Sequence, residues 1–259
     1  RCRLMNDSMD ALQSQFRQLR LVETASELPE LFRKAEQASW TYRELVQEIV
    51  CFELRKREEK SVQKRLKWAK FPYHKTLTEF DLSDQTSLSK RQLTQLQELT
   101  WLEQQYNLIF LGPSGVGKTH LSIALGMEAI QKGFQVTFVT MGELLSLLKT
   151  EEFTRKSQVQ LNRIRASDLV IIDDLMYMAM EQREATLFFH LINHLYERSS
   201  IILTSNKSPD QWGELLGDEG VAMAILDRIL HRAEVVHMNE ASYRMKHRQS
   251  MFVSESVQN

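Results

Sequence analysis

Eight residues constrain this chain more than any others: Gly112, Pro113, Ser114, Gly115, Val116, Gly117, Lys118 and Thr119, in the pattern G-x-x-x-x-G-K-[ST]. An apolar run of strand character over residues 108–111 precedes them, and an amphipathic run over residues 121–132 follows. Strand, glycine-rich turn and helix in that order form a phosphate cradle. Glycines allow successive backbone N–H groups to turn inward around an anionic oxygen. The helix that follows points its positive end at the same place. Lys118 supplies a point charge for β- and γ-phosphate oxygens, and the Thr119 hydroxyl can ligate Mg²⁺. His120 completes the set expected to touch the nucleotide. A nucleotide with Mg²⁺ is therefore the expected ligand.

Composition narrows the rest. The chain has 259 residues, 42% of them apolar, enough for one large domain or a core plus a smaller one. The net charge is −1, so a signal for nucleic acid must lie in a local patch. Two cysteines, Cys2 and Cys51, with no C-x-x-C pair, argue against a disulfide framework or a zinc ribbon. No run of 18 apolar residues is present, so a soluble, cytoplasmic protein with no membrane contact is expected.

Before the phosphate loop the pattern is helical. Met5, Met9, Leu12, Phe16 and Leu19 recur at spacings of three and four, and Leu28, Leu31, Phe32 and Ala35 repeat the theme. Thr41 with Glu44 reads as a capping box, followed by an apolar face of Leu45, Val46, Ile49, Val50 and Phe52. Residues 55–70 then carry eight basic and two acidic residues, a local charge of +6. Arg55, Lys56, Arg57, Lys60, Lys64, Arg65 and Lys67 in this stretch are candidate contacts to DNA phosphates. Phe71-Pro72 ends the helix. Residues 76–89 are polar and acidic and read as a linker, and Leu93, Leu96, Leu99 and Leu102 mark one further helix. The expected division is a helical DNA- or partner-binding domain over residues 1–72, a linker over 73–90 and a nucleotide domain over 91–259.

Beyond the loop, strands alternate with helices. Strand runs at 135–139, 169–172, 200–203 and 234–238 are separated by helical stretches at 141–149, 157–164, 181–198 and 221–230. This order implies a parallel sheet flanked by helices. Asp173 and Asp174 close a four-residue apolar strand and so stand at its carboxyl end, where ligands of such sheets gather. Asp173 is expected to hold Mg²⁺, and Asp174 to orient or deprotonate an attacking water. Asn206, at the end of the next strand, can touch a γ-phosphate. Arg228 lies in an otherwise largely apolar helix and is a natural donor to transition-state charge, with Arg232 its rival. Arg244 is a candidate second nucleotide-sensing arginine.

Together, GPSGVGKTHLSIALG, LVIIDD, IILTSN and AILDRILHRAEVV resemble the AAA+ ATPases of the DnaC/IstB clade, in particular the IstB-like transposition helpers of insertion sequences. KRLKWAKFP and SYRMK are similar to theirs as well, so the resemblance spans nearly the whole chain. It implies an AAA+ P-loop core with a small all-helical N-terminal domain. It implies ATP hydrolysis, self-assembly on duplex DNA with little sequence preference, and assistance to a cognate transposase. It gives Arg228 the role of an arginine finger acting on a neighbouring subunit's ATP and Arg244 a sensor-like position. It also places Lys149, Arg155 and Lys156 where this clade carries an extra DNA-contacting helix. The chain departs from the pattern in having Leu175 and Met176, not glycine, after the acidic pair. A helicase loader of the DnaC type is the alternative. A small-molecule P-loop kinase and a DNA-binding scaffold with nucleotide as a structural ligand are more distant readings.

Overall fold

The computed structural model describes residues 8–80, 87–175, 180–215 and 219–239. The chain divides into two compact units, Arg1–Lys64 and Arg65–Asn259.

The first unit is helical. Helix α1 spans Met9–Gln18, and its first turn is closed by Ser8, whose hydroxyl accepts from the Ala11 N–H. Helix α2, Val22–Gln37, buries Thr24, Ala25, Leu28, Leu31 and Ala35. Helix α3, Tyr42–Ala69, is 28 residues long and runs past the boundary between the units. The expected capping box is present: the Thr41 N–H donates to Glu44 at 2.7 Å and the Glu44 N–H to the Thr41 hydroxyl at 3.3 Å. The apolar face read for α3 is only partly covered. Val46 and Val50 are exposed, on an open face they share with Tyr42 and Cys51. A buried carboxylate, Glu53, ties α3 to α2. It accepts from the Thr24 N–H and hydroxyl and from Arg57. Burial opposes its charge, yet these donors hold the carboxyl below its ordinary value.

In the second unit, β1 (Asn107–Leu111), β2 (Val136–Thr140), β3 (Leu169–Leu175), β4 (Ser200–Ser205) and β5 (Ala233–His237) form one sheet in the order β2-β3-β4-β1-β5. Every adjacent pair is parallel, the α/β arrangement expected from the alternation of elements. Near-continuous Val, Ile and Leu runs suit such strands, because helices cover both faces. Helix α4 spans Lys90–Glu98, α5 Thr100–Glu103 and α6 Lys118–Gln131. Then come α7 (Met141–Thr150), α8 (Arg155–Arg165), α9 (Gln182–Leu195), α10 (Trp212–Leu215) and α11 (Glu219–Leu230). Ile109, Leu111, Val170, Ile172 and Leu203 pack with α7, α8, α9 and α11 into one cluster. Helix α6 lies against the other face, where Ile171 approaches Gly126.

The structure corrects three local expectations. The leucine series 93–102 forms two helices, because Leu99 adopts a left-handed conformation (φ 60°) and Trp101 donates its indole N–H back to the Leu96 carbonyl. The polar stretch at 76–89 carries a turn of 3₁₀ helix, Leu77–Glu79, and buries Leu77, Phe80 and Leu88. Strand β3 continues through the acidic pair to Leu175, with a register shift against β4 between Ile172 and Leu175.

Gly112 is locked where β1 meets β5. The Met238 N–H donates to the Leu111 carbonyl at 2.7 Å, and a Cβ on Gly112 would lie 2.0 Å from the Met238 carbonyl oxygen. Its φ of 152° is also one that side chains rarely allow. Gly112→Ala is expected to cost about 2 kcal/mol or more. A urea midpoint equal to that of the wild type would mean that the end of β5 yields freely.

Candidate nucleotide site

The phosphate loop leaves the carboxyl end of β1 and enters α6. Gly115 and Gly117 take φ values of 86° and 99°, with Gly117 as the N-cap of α6. These values turn the loop so that α6 opens directly beneath it. Val116 is buried and anchors the loop. Lys118 is also buried, and its ammonium donates to the Gly112 and Pro113 carbonyls at 2.8 Å each. The lysine is thus folded back along the loop it would serve. His120 packs edge-on against Phe80, with ring centroids 5.4 Å apart, and its Nε2 lies 3.2 Å from the Thr76 carbonyl. Burial lowers its imidazole below the ordinary value, against the pull of that carbonyl.

Across the sheet, the Thr119 hydroxyl donates to the two carboxylate oxygens of Asp173 at 2.9 and 3.1 Å, over a sequence separation of 54 residues. The loop and the acidic strand end, read separately from the sequence, meet here. Asp173 is buried, and burial raises its carboxyl above the ordinary value. The bonds from Thr204 and Thr119 work the other way, Asp174 adds to the rise and Lys118 opposes it. Asp174 is exposed and left-handed, with φ 57°, inside the bulge of β3. An extended Asp174 would place its side chain one step further along the strand's alternation; the bulge re-aims it.

The residue that holds this geometry is Thr204, to which sequence reasoning assigned no role. It is fully buried in β4. Its hydroxyl donates to Asp173 Oδ1 at 2.6 Å and accepts from the Asp174 N–H at 2.9 Å. One hydroxyl therefore spans both acids. The only sequence signal is a threonine near the end of the next strand, and its meaning depends on the register of β3 against β4.

Asn206 is exposed just beyond β4. Because β4 lies between β1 and β3, with Ser205 opposite Leu111 and Leu175, Asn206 emerges between the loop and the acids. Arg228 is elsewhere. Its guanidinium donates to Asn193 Oδ1 and the Ala224 carbonyl at 2.9 Å each and lies 4.8 Å from the centroid of Phe189. With Arg232 it lines a small hollow beside Asn107, Ser199 and Ile201, at the amino ends of β1 and β4. That is the opposite end of the sheet from the chain's own loop. Arg244 lies outside the described residues.

The basic candidates differ in their surroundings. Arg55 pairs with Glu48, Lys56 with Glu59, Arg57 with Glu53 and Lys60 with Glu23. Lys64 and Lys67 carry no ion pair among the described residues, and Arg65 donates to the Ile130 carbonyl. Lys149 pairs with Glu184 at 2.7 Å, whereas Arg155 and Lys156 project from the first turn of α8. Among the described residues no group of three or more His, Cys, Asp and Glu gathers as a metal cage, and none is helical, long and apolar enough to cross a membrane. Mg²⁺ in nucleotide sites takes one or two carboxylates plus substrate phosphates, so the hydroxyl and carboxylate of Thr119 and Asp173 fit the donor set such an ion would need.

Comparison with known proteins agrees in kind. The family model described as IstB-like ATP binding protein matches residues 14–251. A Pseudomonas aeruginosa protein named for insertion sequence IS21 and ATP binding is 36% identical over 238 residues, 92% of this chain and 90% of that one. A Bacteroides fragilis protein with an IS21-like name is 35% identical over 241 residues, 93% and 92% of the two chains. The crystal structure of DnaI superposes with a TM-score of 0.54 at 21% identity, over 63% of this chain and 90% of that one, a likeness of fold.

Proposed function

This chain belongs to the family of IstB-like ATP-binding proteins, and on that premise we propose that it is an ATP-hydrolysing regulator that assembles on duplex DNA and assists a transposase. Its α/β core is of the AAA+ P-loop type. The observation that best supports hydrolysis is the bond from Thr119 to Asp173, which joins the phosphate loop to a buried carboxylate. In this reading the loop amides from Gly112 to Thr119 hold the β- and γ-phosphates, and Lys118 leaves the loop carbonyls to meet them. Thr119 and Asp173 would hold Mg²⁺, which when bound would neutralise phosphate charge. Asp174 orients the attacking water, Asn206 touches the γ-phosphate, and Thr204 positions both acids. Arg228 serves the site of the next subunit, and Arg244 senses the bound nucleotide.

The same reading gives residues 1–72 to DNA or partner binding, 73–90 to a connection and 91–259 to the ATPase. Lys64, Lys67, Arg155 and Lys156 are the contacts best placed for phosphates, because ion pairs already engage Arg55, Lys56, Arg57, Lys60 and Lys149. Binding dominated by phosphate contacts is non-specific and weakens steeply with salt.

The direct test is ATP turnover with and without duplex DNA. Turnover that rises with DNA, and Lys118→Ala protein that loses the ATP-dependent part of its assembly on DNA, are expected. No turnover in either condition would reduce the nucleotide to a structural ligand and sink the proposal.

A further inference from the structure

A pocket of about 370 Å³ opens beside the edge strand β2 and shares no residue with the phosphate loop. Trp68, Lys70, Lys156, Gln160 and Arg163 line it, with Glu143 as its one acid. The three cations come from separate places, Lys70 just past the end of α3 and Lys156 and Arg163 two turns apart on α8. None has an ion pair among the described residues, although cations nearby do, Lys149 with Glu184 and Arg165 with Glu151. Glu143 is itself engaged as the capping acid of α7, where it accepts from the Thr140 N–H. Three like charges are thus gathered with little to offset them, an arrangement that favours an anion.

The wall is built as well as charged. The Arg163 guanidinium carbon lies 5.0 Å from the centroid of the Trp68 ring, which presets a fork of donors. The Trp68 Nε1–H is buried without an acceptor among the described residues. Lys70 is held in a left-handed conformation, φ 57°. Partial desolvation, then the charges of Arg163 and Lys156, keep its ammonium below the ordinary lysine value, with Glu143 alone opposing.

We propose that this pocket is a second phosphate-binding site, separate from the P-loop, whose cations receive the oxygens of a free phosphate ester or of a nucleic-acid backbone. Guanidinium and ammonium donors around a recess match the tetrahedral oxygens of phosphate, and a planar arginine binds two of them at once. The duplex source rests on the DNA binding proposed above; the free-ester source does not.

Two titrations of the full chain test it. In the first, inorganic phosphate is added while tryptophan emission is read, with Trp68→Phe identifying the local signal. A saturable change that Trp68→Phe abolishes is expected. Its apparent Kd should rise about tenfold or more in the triple variant Lys70→Gln, Lys156→Gln, Arg163→Gln. It should not change in Lys118→Ala or in Lys90→Gln, an exposed control. In the second, a duplex oligonucleotide is titrated across a salt series. If the backbone is the source, the triple variant binds about tenfold or more weakly and its salt slope falls by about 2–3. The pair Lys70→Gln, Lys156→Gln alters exposed side chains only and repeats both arms without disturbing Arg163 on Trp68. A response in the phosphate arm alone assigns a free ester, and one in the duplex arm alone assigns the backbone. Unchanged binding in both arms, or equal losses in Lys90→Gln, overturns the pocket. Duplex binding that survives in the triple variant beside an absent phosphate signal removes the pocket and leaves the DNA reading. A phosphate signal without duplex binding by the wild type does the reverse.

Discussion

Arg228→Ala is expected to lower ATP turnover by about 10³-fold while ATP binding stays near the wild-type level. The size follows from the chemistry, since a guanidinium that meets charge developing on a transferring phosphoryl group acts in the transition state alone. The direction in space follows from the sheet. Arg228 lies with Asn107 at the amino end of β1, and the loop leaves its carboxyl end. Five residues of strand hold the two about 13 Å apart or more, beyond the reach of an arginine already bonded to Asn193 and Ala224. The arginine therefore does not reach its own chain's loop, and in the proposed reading it serves the site of a neighbouring subunit. Mixing Arg228→Ala with Lys118→Ala subunits checks this, because each lacks what the other keeps. Mixed oligomers should recover part of the lost turnover. A mixture as inactive as its components would leave Arg228 as a structural residue that holds α11 to α9.

Asp173→Asn is expected to lower turnover by about 10²–10³-fold and, in the absence of Mg²⁺ and nucleotide, to make the fold more stable by about 0.5–2 kcal/mol at neutral pH. The two effects have one cause. Burial raises the carboxyl above its ordinary 3.8, so the fold without cation disfavours its charged form. A group raised in this way contributes its full stability below pH 3.8 and loses it as pH rises through the higher value of the folded state. At neutral pH the wild type therefore carries a buried charge that Thr119, Thr204 and Lys118 offset only in part and that the amide lacks, and Thr119 and Thr204 can still bond the amide. The advantage of the variant should vanish below pH 3.8, and with Mg²⁺ and ATP present it should reverse. Thermal unfolding of both proteins across pH, with and without Mg²⁺, measures it. An asparagine variant that is less stable at neutral pH without cation would mean that the three hydroxyl bonds already outweigh the burial of charge.

Much of this site is legible in one dimension because its signals are short-range. A phosphate loop needs glycines, a lysine and a hydroxyl at fixed offsets, and all of them lie within eight residues of one another. The four-residue apolar run before Asp173 places an acid at a strand end by simple alternation of strand and helix. The break at Leu99 was hidden for the opposite reason. Its leucine spacing is that of one helix, and what divides it is the indole of Trp101 bonding back to Leu96, a choice made by packing.

Charge shows the same division. A stretch of +6 reads as a DNA contact in the sequence. Only the fold reveals that Arg57 answers the buried Glu53, and that Arg163, outside that stretch, joins Lys70 and Lys156 in one pocket. The chain by itself determined the phosphate loop, the order of strands and helices and the identity of the acids, since each depends on residues close in sequence. The tertiary structure decided what those residues do together: that Thr119 finds Asp173, that one threonine hydroxyl joins the Asp173 carboxylate to the Asp174 backbone and that Asp174 turns out of its strand. Those contacts join residues 30 to 54 positions apart, and their geometry is set by the register of neighbouring strands, which no local pattern encodes.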